Sequence, residues 1–222
     1  VGYRFVADVK QSGVTTRAQD PAPPVAAAQT LRQVIRFCTA ADGARIAYST
    51  VGDGPPLVKA ANWLNHLEHE WESPVWKHWV ADLSQHHLFV RYDERGCGLS
   101  DWNVPDFSFD AWVRDLETVV DALGVGRFAL LGISQGGAVA VAYAARHPER
   151  VSHLILYCAH ARGWQYRGTA HELEAYEALT QLVRLGWGKN HPAFRQMFTT
   201  RFIPDAGPEE MEWFNDLQRI TA

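Results

Sequence analysis

The feature that most limits what this chain can fold into lies between Ala129 and Ala142. An apolar run, Ala129-Leu130-Leu131, enters Gly132-Ile133-Ser134-Gln135-Gly136, and Gly137 with the small, apolar run Ala138-Val139-Ala140-Val141-Ala142 follows. A buried strand, a tight turn and a helix of small side chains are the pieces this order specifies. Gly132 and Gly136 carry no Cβ, so strand and helix can approach closely at the turn. Ser134 between them has the setting of a nucleophile elbow, a strained turn that projects the hydroxyl from the sheet edge. The helix starting there brings its positive dipole end, and the Gln135 N–H, beside negative charge developing on an attacked group. A glycine-rich turn without chemistry would explain the five residues but not the strand before and the helix after them. The glycine spacing is not G-x-G-x-x-G, so no dinucleotide is expected, and no cofactor is assigned.

The rest of the chain supplies a sheet for that turn. Gln33–Thr39 reads as a strand, Asp42-Gly43 as a turn and Ala44–Val51 as the returning strand of a hairpin. Gly52 to Pro56 is a second turn, and Leu57–Ala61 a short apolar strand. The pattern then predicts a helix over Pro74–Leu83, a strand over Leu88–Tyr92 and a helix over Ser108–Leu123. In the latter, Val113, Leu116, Val119, Val120 and Leu123 recur at helical spacing, with Ser108 placed to cap the start and Gly124 to end it. Arg127–Ile133 reads as a strand, Gly136–Arg146 as a helix, Val151–Tyr157 as a strand, and the chain is helical from about Ala170. Strands alternating with helices after an opening hairpin predict an α/β fold: a mostly parallel sheet with helices on both faces.

Composition bounds the function classes. The 222 residues are 47% hydrophobic and 21% charged, which is globular rather than disordered. A chain this long buries roughly 70% of its unfolded surface and needs no disulfide or metal staple. No apolar run approaches the ~20 residues of a membrane span, so no membrane partner is expected. A net charge of −4 argues against nucleic-acid binding by the chain as a whole. Cys38, Cys97 and Cys158 are far apart and odd in number, and no basic-then-apolar leader is visible at the N-terminus. Both point to reduced cysteines and a cytoplasmic setting.

Two further motifs accompany the serine turn. Asp93-Glu94-Arg95-Gly96-Cys97-Gly98-Leu99-Ser100 follows the strand at Leu88–Tyr92, and His147-Pro148-Glu149-Arg150-Val151 leads from the helix after Ser134 into the next strand. Together with Gly132–Gly136, over roughly Gln33 to Tyr157, they make the chain resemble the α/β-hydrolase fold family. The first matches the family's Asp-x-Arg-Gly-x-Gly-x-Ser loop. The resemblance implies an α/β-hydrolase core at residues 33–160 and a helical cap at 161–222. It implies a serine hydrolase acting on an ester-like or other acyl bond of a small molecule. Ser134 would be the nucleophile, Gly132 and Gly136 would shape the elbow, and Arg95 and His147 would be structural. Serine at the elbow argues against an aspartate-dependent dehalogenase mechanism. The family also runs perhydrolysis and carbon–carbon cleavage, so fold and elbow do not fix the reaction.

The chain departs from the family pattern in two places. Where many members carry His-Gly after the third strand, this sequence has Ala60-Ala61-Asn62-Trp63-Leu64. A backbone N–H needs no particular side chain, so Asn62 or Trp63 can still serve an oxyanion hole; Trp63 with Gln135 is the pair expected. The family's order is serine, acid, histidine. After Ser134 the aspartates are Asp205 and Asp216, and the last histidine, His191, precedes both. The triad acid and base are therefore expected beyond residue 222, which makes the core C-terminally incomplete here.

The N-terminal stretch has a resemblance of its own. Val1-Gly2-Tyr3-Arg4-Phe5-Val6-Ala7 is similar to the last hairpin strand of the winged-helix domain in response-regulator transcription factors. Residues 1–10 would then end such a domain, and 11–32, with Pro21, Pro23 and Pro24, would form an extended linker. The starting residue is not Met. The expectation is a fragment of a bacterial regulator, touching DNA through an upstream domain and binding a small-molecule substrate or ligand. This leaves a second function class open: a ligand-sensing domain without turnover.

The weaker signals favour bland readings. His66-Leu67-Glu68-His69-Glu70 has no third ligand at sensible spacing, so no metal is expected and a surface or cap-lining segment is the better reading. His160 follows the strand after the serine helix and has no evident partner that would make it a base. Trp63, Trp71, Trp76, Trp79 and Trp102 fall near predicted strand ends, where pocket lining and core packing are both open.

Overall fold

The computed structural model describes residues 31–160, 163–166, 168–189 and 191–221. Its six-stranded sheet is built from β1 (Val34–Thr39), β2 (Arg45–Val51), β3 (Pro56–Lys59), β4 (Leu88–Tyr92), β5 (Phe128–Ile133) and β6 (Val151–Tyr157). The spatial order is β1-β2-β4-β3-β5-β6. The β1–β2 and β2–β4 pairs are antiparallel, and the remaining pairs are parallel. The β1–β2 turn forms as its sequence dictates. Asp42 Oδ1 accepts from the Ala44 N–H at 3.2 Å, and Gly43 takes φ +89°.

The central strands are apolar runs because both their faces are covered. Leu130 and Leu131 are consecutive and point oppositely. Leu130, with Val58 and Val90, packs under α3 (Phe109–Ala122) and α4 (Gln135–Arg146) through Val113, Leu116, Val120, Val139 and Ala140. Leu131, with Leu57, Phe89 and Val51, packs under Val80 of α2 (Lys77–Ser84). Each such side chain, fully buried, is worth roughly 1.5–3 kcal/mol. The periodicity of α3 reports this packing, and Ser108 caps it by accepting from the Ala111 N–H at 3.2 Å.

Most differences from the sequence expectations are local. The helix expected from Pro74 begins at Lys77, because Ser73 Oγ first accepts from the N–H groups of Val75 and Trp76 and holds a turn there. The stretch expected to be a surface or cap-lining segment contains a short helix, α1 (Leu67–Trp71), with Glu68 exposed and the His69 ring stacked on Trp213 at 4.9 Å. Leu67 is 1% exposed, and Glu70 is drawn inward by an ion pair with Arg91 at 3.1 Å. Among the described residues no cluster of His, Cys, Asp and Glu converges as a metal-ligand set. The five tryptophans do not form one group: Trp71 packs beneath the sheet, Trp79 meets Tyr157 edge-on, and Trp102 is exposed with its Nε1–H on the Gly98 carbonyl.

After β6 come α5 (Ala170–Gly186), α6 (Pro192–Phe202) and α7 (Pro208–Ile220). Thr169 and Glu172 close a reciprocal cap on α5, which buries no side chain. α6 and α7 meet the sheet's loops through Phe198, Phe214 and Leu217, which pack on Leu64 and Trp63. β6 is an edge strand whose Leu154, Ile155, Leu156 and Tyr157 are 40–51% exposed. Among the described residues no helix is long and apolar enough to cross a membrane. The strand expected at 1–10 as the end of a winged-helix domain, and all but the last two residues of the linker expected at 11–32, lie outside the described residues.

Candidate active site

The site begins where β5 ends. Ser134 stands between β5 and α4 at φ +52°, ψ −120°, a conformation that L-residues rarely adopt, and its side chain is exposed. The surroundings hold it there. The Ser134 N–H donates to the Tyr157 carbonyl at 3.0 Å, and the Gly137 N–H returns to the Ser134 carbonyl at 3.1 Å. The glycines serve close approaches on different sides. A Cβ on Gly132 would lie 2.7 Å from the Gly137 Cα and 2.8 Å from the Ala140 Cβ, so this glycine seats α4 on its strand. A Cβ on Gly136 would lie 2.6 Å from the Ala61 carbonyl oxygen, so Gly136 brings the helix N-terminus against the loop after β3. Gly137, not singled out from the sequence, is equally constrained, its Cβ position 2.3 Å from that of Ala159.

The loop after β3 arrives from the opposite side. Its first amide, Ala60, still donates to Leu131 of β5 at 2.8 Å. The Asn62 N–H is engaged by Asn65 Oδ1 at 2.9 Å, and the Asn62 side chain links the Lys59 ammonium to the Trp63 carbonyl. Leu64, not a glycine, takes the turn's left-handed conformation at φ +67°. Asn62 therefore has its amide already bonded within the loop, while the Trp63 N–H points at the elbow and donates to Gln135 Oε1 at 3.1 Å. Gln135 opens α4, so its own N–H has no intrahelical acceptor. The Trp63 ring packs on Trp187, Phe202 and Phe198, with centroids 4.9, 5.5 and 5.9 Å away.

A third element completes the site from below. The 93–100 loop is tied down by its ends. Asp93 Oδ2 accepts from the N–H groups of Leu67 and Leu99, and Ser100 Oγ donates to the Asp93 carbonyl and accepts from the Ala47 N–H. Gly98, at φ +53°, passes so close that a Cβ would lie 2.3 Å from the Asp93 carboxylate. Glu94, 6% exposed, accepts from Gln135 Nε2 at 3.1 Å. Burial pushes both carboxyls up to about 7. The Asp115 charge adds to the rise at Glu94 and Lys59 opposes it, whereas the Leu99 N–H opposes it at Asp93. Burial also holds the Lys59 ammonium below its ordinary value. Sequence reasoning missed Glu94 and Lys59 as parts of the site. Glu94 stood inside a quoted motif, but nothing in the motif says that its variable position faces the serine turn.

The sequence-chosen residues Gly132, Ser134, Gln135, Gly136 and Trp63 thus meet around one point. Among the described residues no histidine bonds the Ser134 hydroxyl. His160 is exposed past β6, and His147 binds Glu117 at 2.9 Å, on the far end of α4.

Comparison with known proteins agrees with the fold. Residues 66–207 match the family described as alpha/beta hydrolase fold. The chain is similar to a pimeloyl-[acyl-carrier protein] methyl ester esterase of Nitrosomonas europaea, 36% identical over 51% of this chain and 40% of that protein. It is also similar to a cis-3-alkyl-4-alkyloxetan-2-one decarboxylase of Shewanella oneidensis, 30% identical over 57% of this chain and 39% of that protein. The chain therefore spans about 40% of the length of these curated relatives. Among solved structures, the esterase EaEST of Exiguobacterium antarcticum superposes with a TM-score of 0.65 at 25% identity, covering 82% of this chain and 66% of that one.

Proposed function

The chain belongs to the α/β-hydrolase fold family, and on that premise we propose that it carries the nucleophile of a serine hydrolase acting on an ester-like or other acyl bond of a small molecule. The observation that carries the reading is the backbone of Ser134: a strained, positive-φ serine at the mouth of a helix, with amides on two sides. Such strain persists only where surrounding structure enforces it, and it clusters at functional sites. In this reading Ser134 Oγ attacks the carbonyl carbon and gives its proton to a base. The carbonyl oxygen becomes an oxyanion received by the N–H groups of Gln135 and Trp63. Collapse expels the alcohol, which takes the proton from the base, and leaves Ser134 acylated. Water then adds through the same steps, releasing the carboxylic acid and restoring the serine. We place the base and its acid in the part of the protein corresponding to the relatives' remaining length. The open apolar edge of β6, hydrogen-bonded beside the Ser134 strand, supports that placement. The helices α5–α7 would be the cap, docked on the site through Trp63.

A second reading, a cytoplasmic ligand sensor attached to a DNA-binding module, is favoured by one observation: the Trp63 N–H is already occupied by Gln135. A fluorophosphonate probe on the native protein separates the two, with Ser134→Ala as control. The enzyme reading expects labelling that disappears in the variant, with esterase turnover falling by at least ~10³. A folded protein that does not label would leave the sensor reading standing.

A further inference from the structure

The side chain of Gln135 does something the reaction does not require. Its carboxamide lies across the site, with Oε1 accepting from the Trp63 N–H and Nε2 donating to Glu94 Oε1, both at 3.1 Å. Only one amide orientation satisfies both partners, because the backbone N–H must find an acceptor and the carboxylate a donor. A backbone N–H has a single hydrogen to give. While Gln135 Oε1 holds it, an oxyanion cannot. The geometry points to a self-occupied oxyanion site: Gln135 Oε1 is a built-in stand-in for the oxyanion, and Glu94 is the positioning residue that keeps it on the Trp63 N–H. The inference rests on the reading of Ser134 as nucleophile.

Three observations support it. Glu94 is buried and cannot follow Gln135 into solvent, so the anchor is fixed. The 93–100 loop that carries Glu94 is pinned at both ends by Asp93 and Ser100, so its reach is fixed as well. Trp63 is clamped from outside by the aromatic rings of Trp187, Phe198 and Phe202, so the amide does not turn away from the elbow to escape its partner. The consequence is selective. A neutral carbonyl gains nothing by displacing a neutral carboxamide from the same N–H. An oxyanion does, because a hydrogen bond to a charged acceptor is about twice as strong. The Trp63 amide is thereby reserved for the charged species, so it contributes where it accelerates reaction and not to ground-state binding.

The test is a double-mutant cycle on the native protein with Gln135→Ala, Glu94→Leu, both together, and Glu94→Gln, which keeps an acceptor for Nε2. Two readouts are taken: hydrogen exchange of the Trp63 amide by NMR, and fluorophosphonate labelling resolved into maximal rate and probe affinity. Exchange is expected to rise about tenfold in Gln135→Ala and Glu94→Leu and to stay near wild type in Glu94→Gln. The maximal labelling rate is expected to rise about threefold to tenfold, the worth of one neutral hydrogen bond, with probe affinity unchanged and no further gain in the double variant. Unchanged Trp63 exchange, or effects that add in the double variant, would overturn the inference. Should Glu94→Leu not fold, Gln135→Ala and Glu94→Gln still decide it. If no form of the protein labels, the nucleophile reading falls, while the exchange data still report whether Gln135 holds the Trp63 amide.

Discussion

Two consecutive residues of one loop are buried side by side and treated in opposite ways. Arg95 is fully paired: Asp115 takes its Nε and Nη2 at 2.7 and 2.6 Å, while Asp42 and the Asp106 carbonyl take Nη1 at 2.7 Å each. These bonds raise its pKa above the ordinary range and lock the β1–β2 turn, α3 and the 93–100 loop into one body. Glu94 faces the serine turn and meets a neutral amide instead of a cation, so burial lifts its carboxyl to about 7. The charge on the Arg95 side has its counter-charges beside it and builds the frame. The charge on the Glu94 side is left costly, because the Lys59 charge offsets its burial only in part.

The sharpest way to break this contrast is to remove the frame. Arg95→Met strands Asp115, 1% exposed, without its partner, and an orphaned buried charge costs about 3–5 kcal/mol. The urea midpoint should fall accordingly, and a loss below ~1 kcal/mol would mean that the pair is not the frame's anchor. Next in size is Gly136→Ala, which pushes a methyl into the Ala61 carbonyl. Overpacking of this kind costs about 1–3 kcal/mol, and because it moves the Trp63 loop, labelling of Ser134 should fall with stability. A stable Gly136→Ala protein that labels at the wild-type rate would show that the close approach does not position the loop.

The pH dependence of stability tests the Glu94 side. Asp93 and Glu94 have folded pKa values raised above their unfolded ones, so the folded state holds their protons more tightly. Their contribution is complete below the unfolded pKa values, near pH 4, and is lost as pH rises through about 7. Denaturation midpoints should therefore decline between pH 5 and pH 8, and Glu94→Gln should flatten that decline. An unchanged slope in the variant would assign it elsewhere. The smallest effect belongs to the exposed pair Arg114–Asp106 at 2.8 Å, with side chains 45% and 38% exposed. Arg114→Ala should change stability by under ~1 kcal/mol. A larger loss would mean that the Asp106 segment depends on this exposed pair as well as on Arg95.

Much of this was legible without coordinates. The strand-turn-helix around Ser134, the hairpin before it and the α3 periodicity all follow from local chemistry: apolar runs, turn residues, a capping serine and glycines where backbones crowd. α1 was not legible, because its five residues are too few to show helical periodicity and are held by distant partners, among them Arg91 on Glu70 and Asp93 on the Leu67 N–H. The choice between the Asn62 and Trp63 amides rested on distant contacts in the same way. Which amide faces the elbow depends on Asn65, Lys59 and Gln135 meeting from separate elements. What the sequence by itself determined is the order of strands and helices and the tight turn that carries Ser134, since those rest on spacing along the chain. Only the tertiary structure decided that Gln135 occupies the Trp63 amide and that Glu94 anchors it, since a hydrogen bond between residues 72 and 41 positions apart exists only once folding has brought them together.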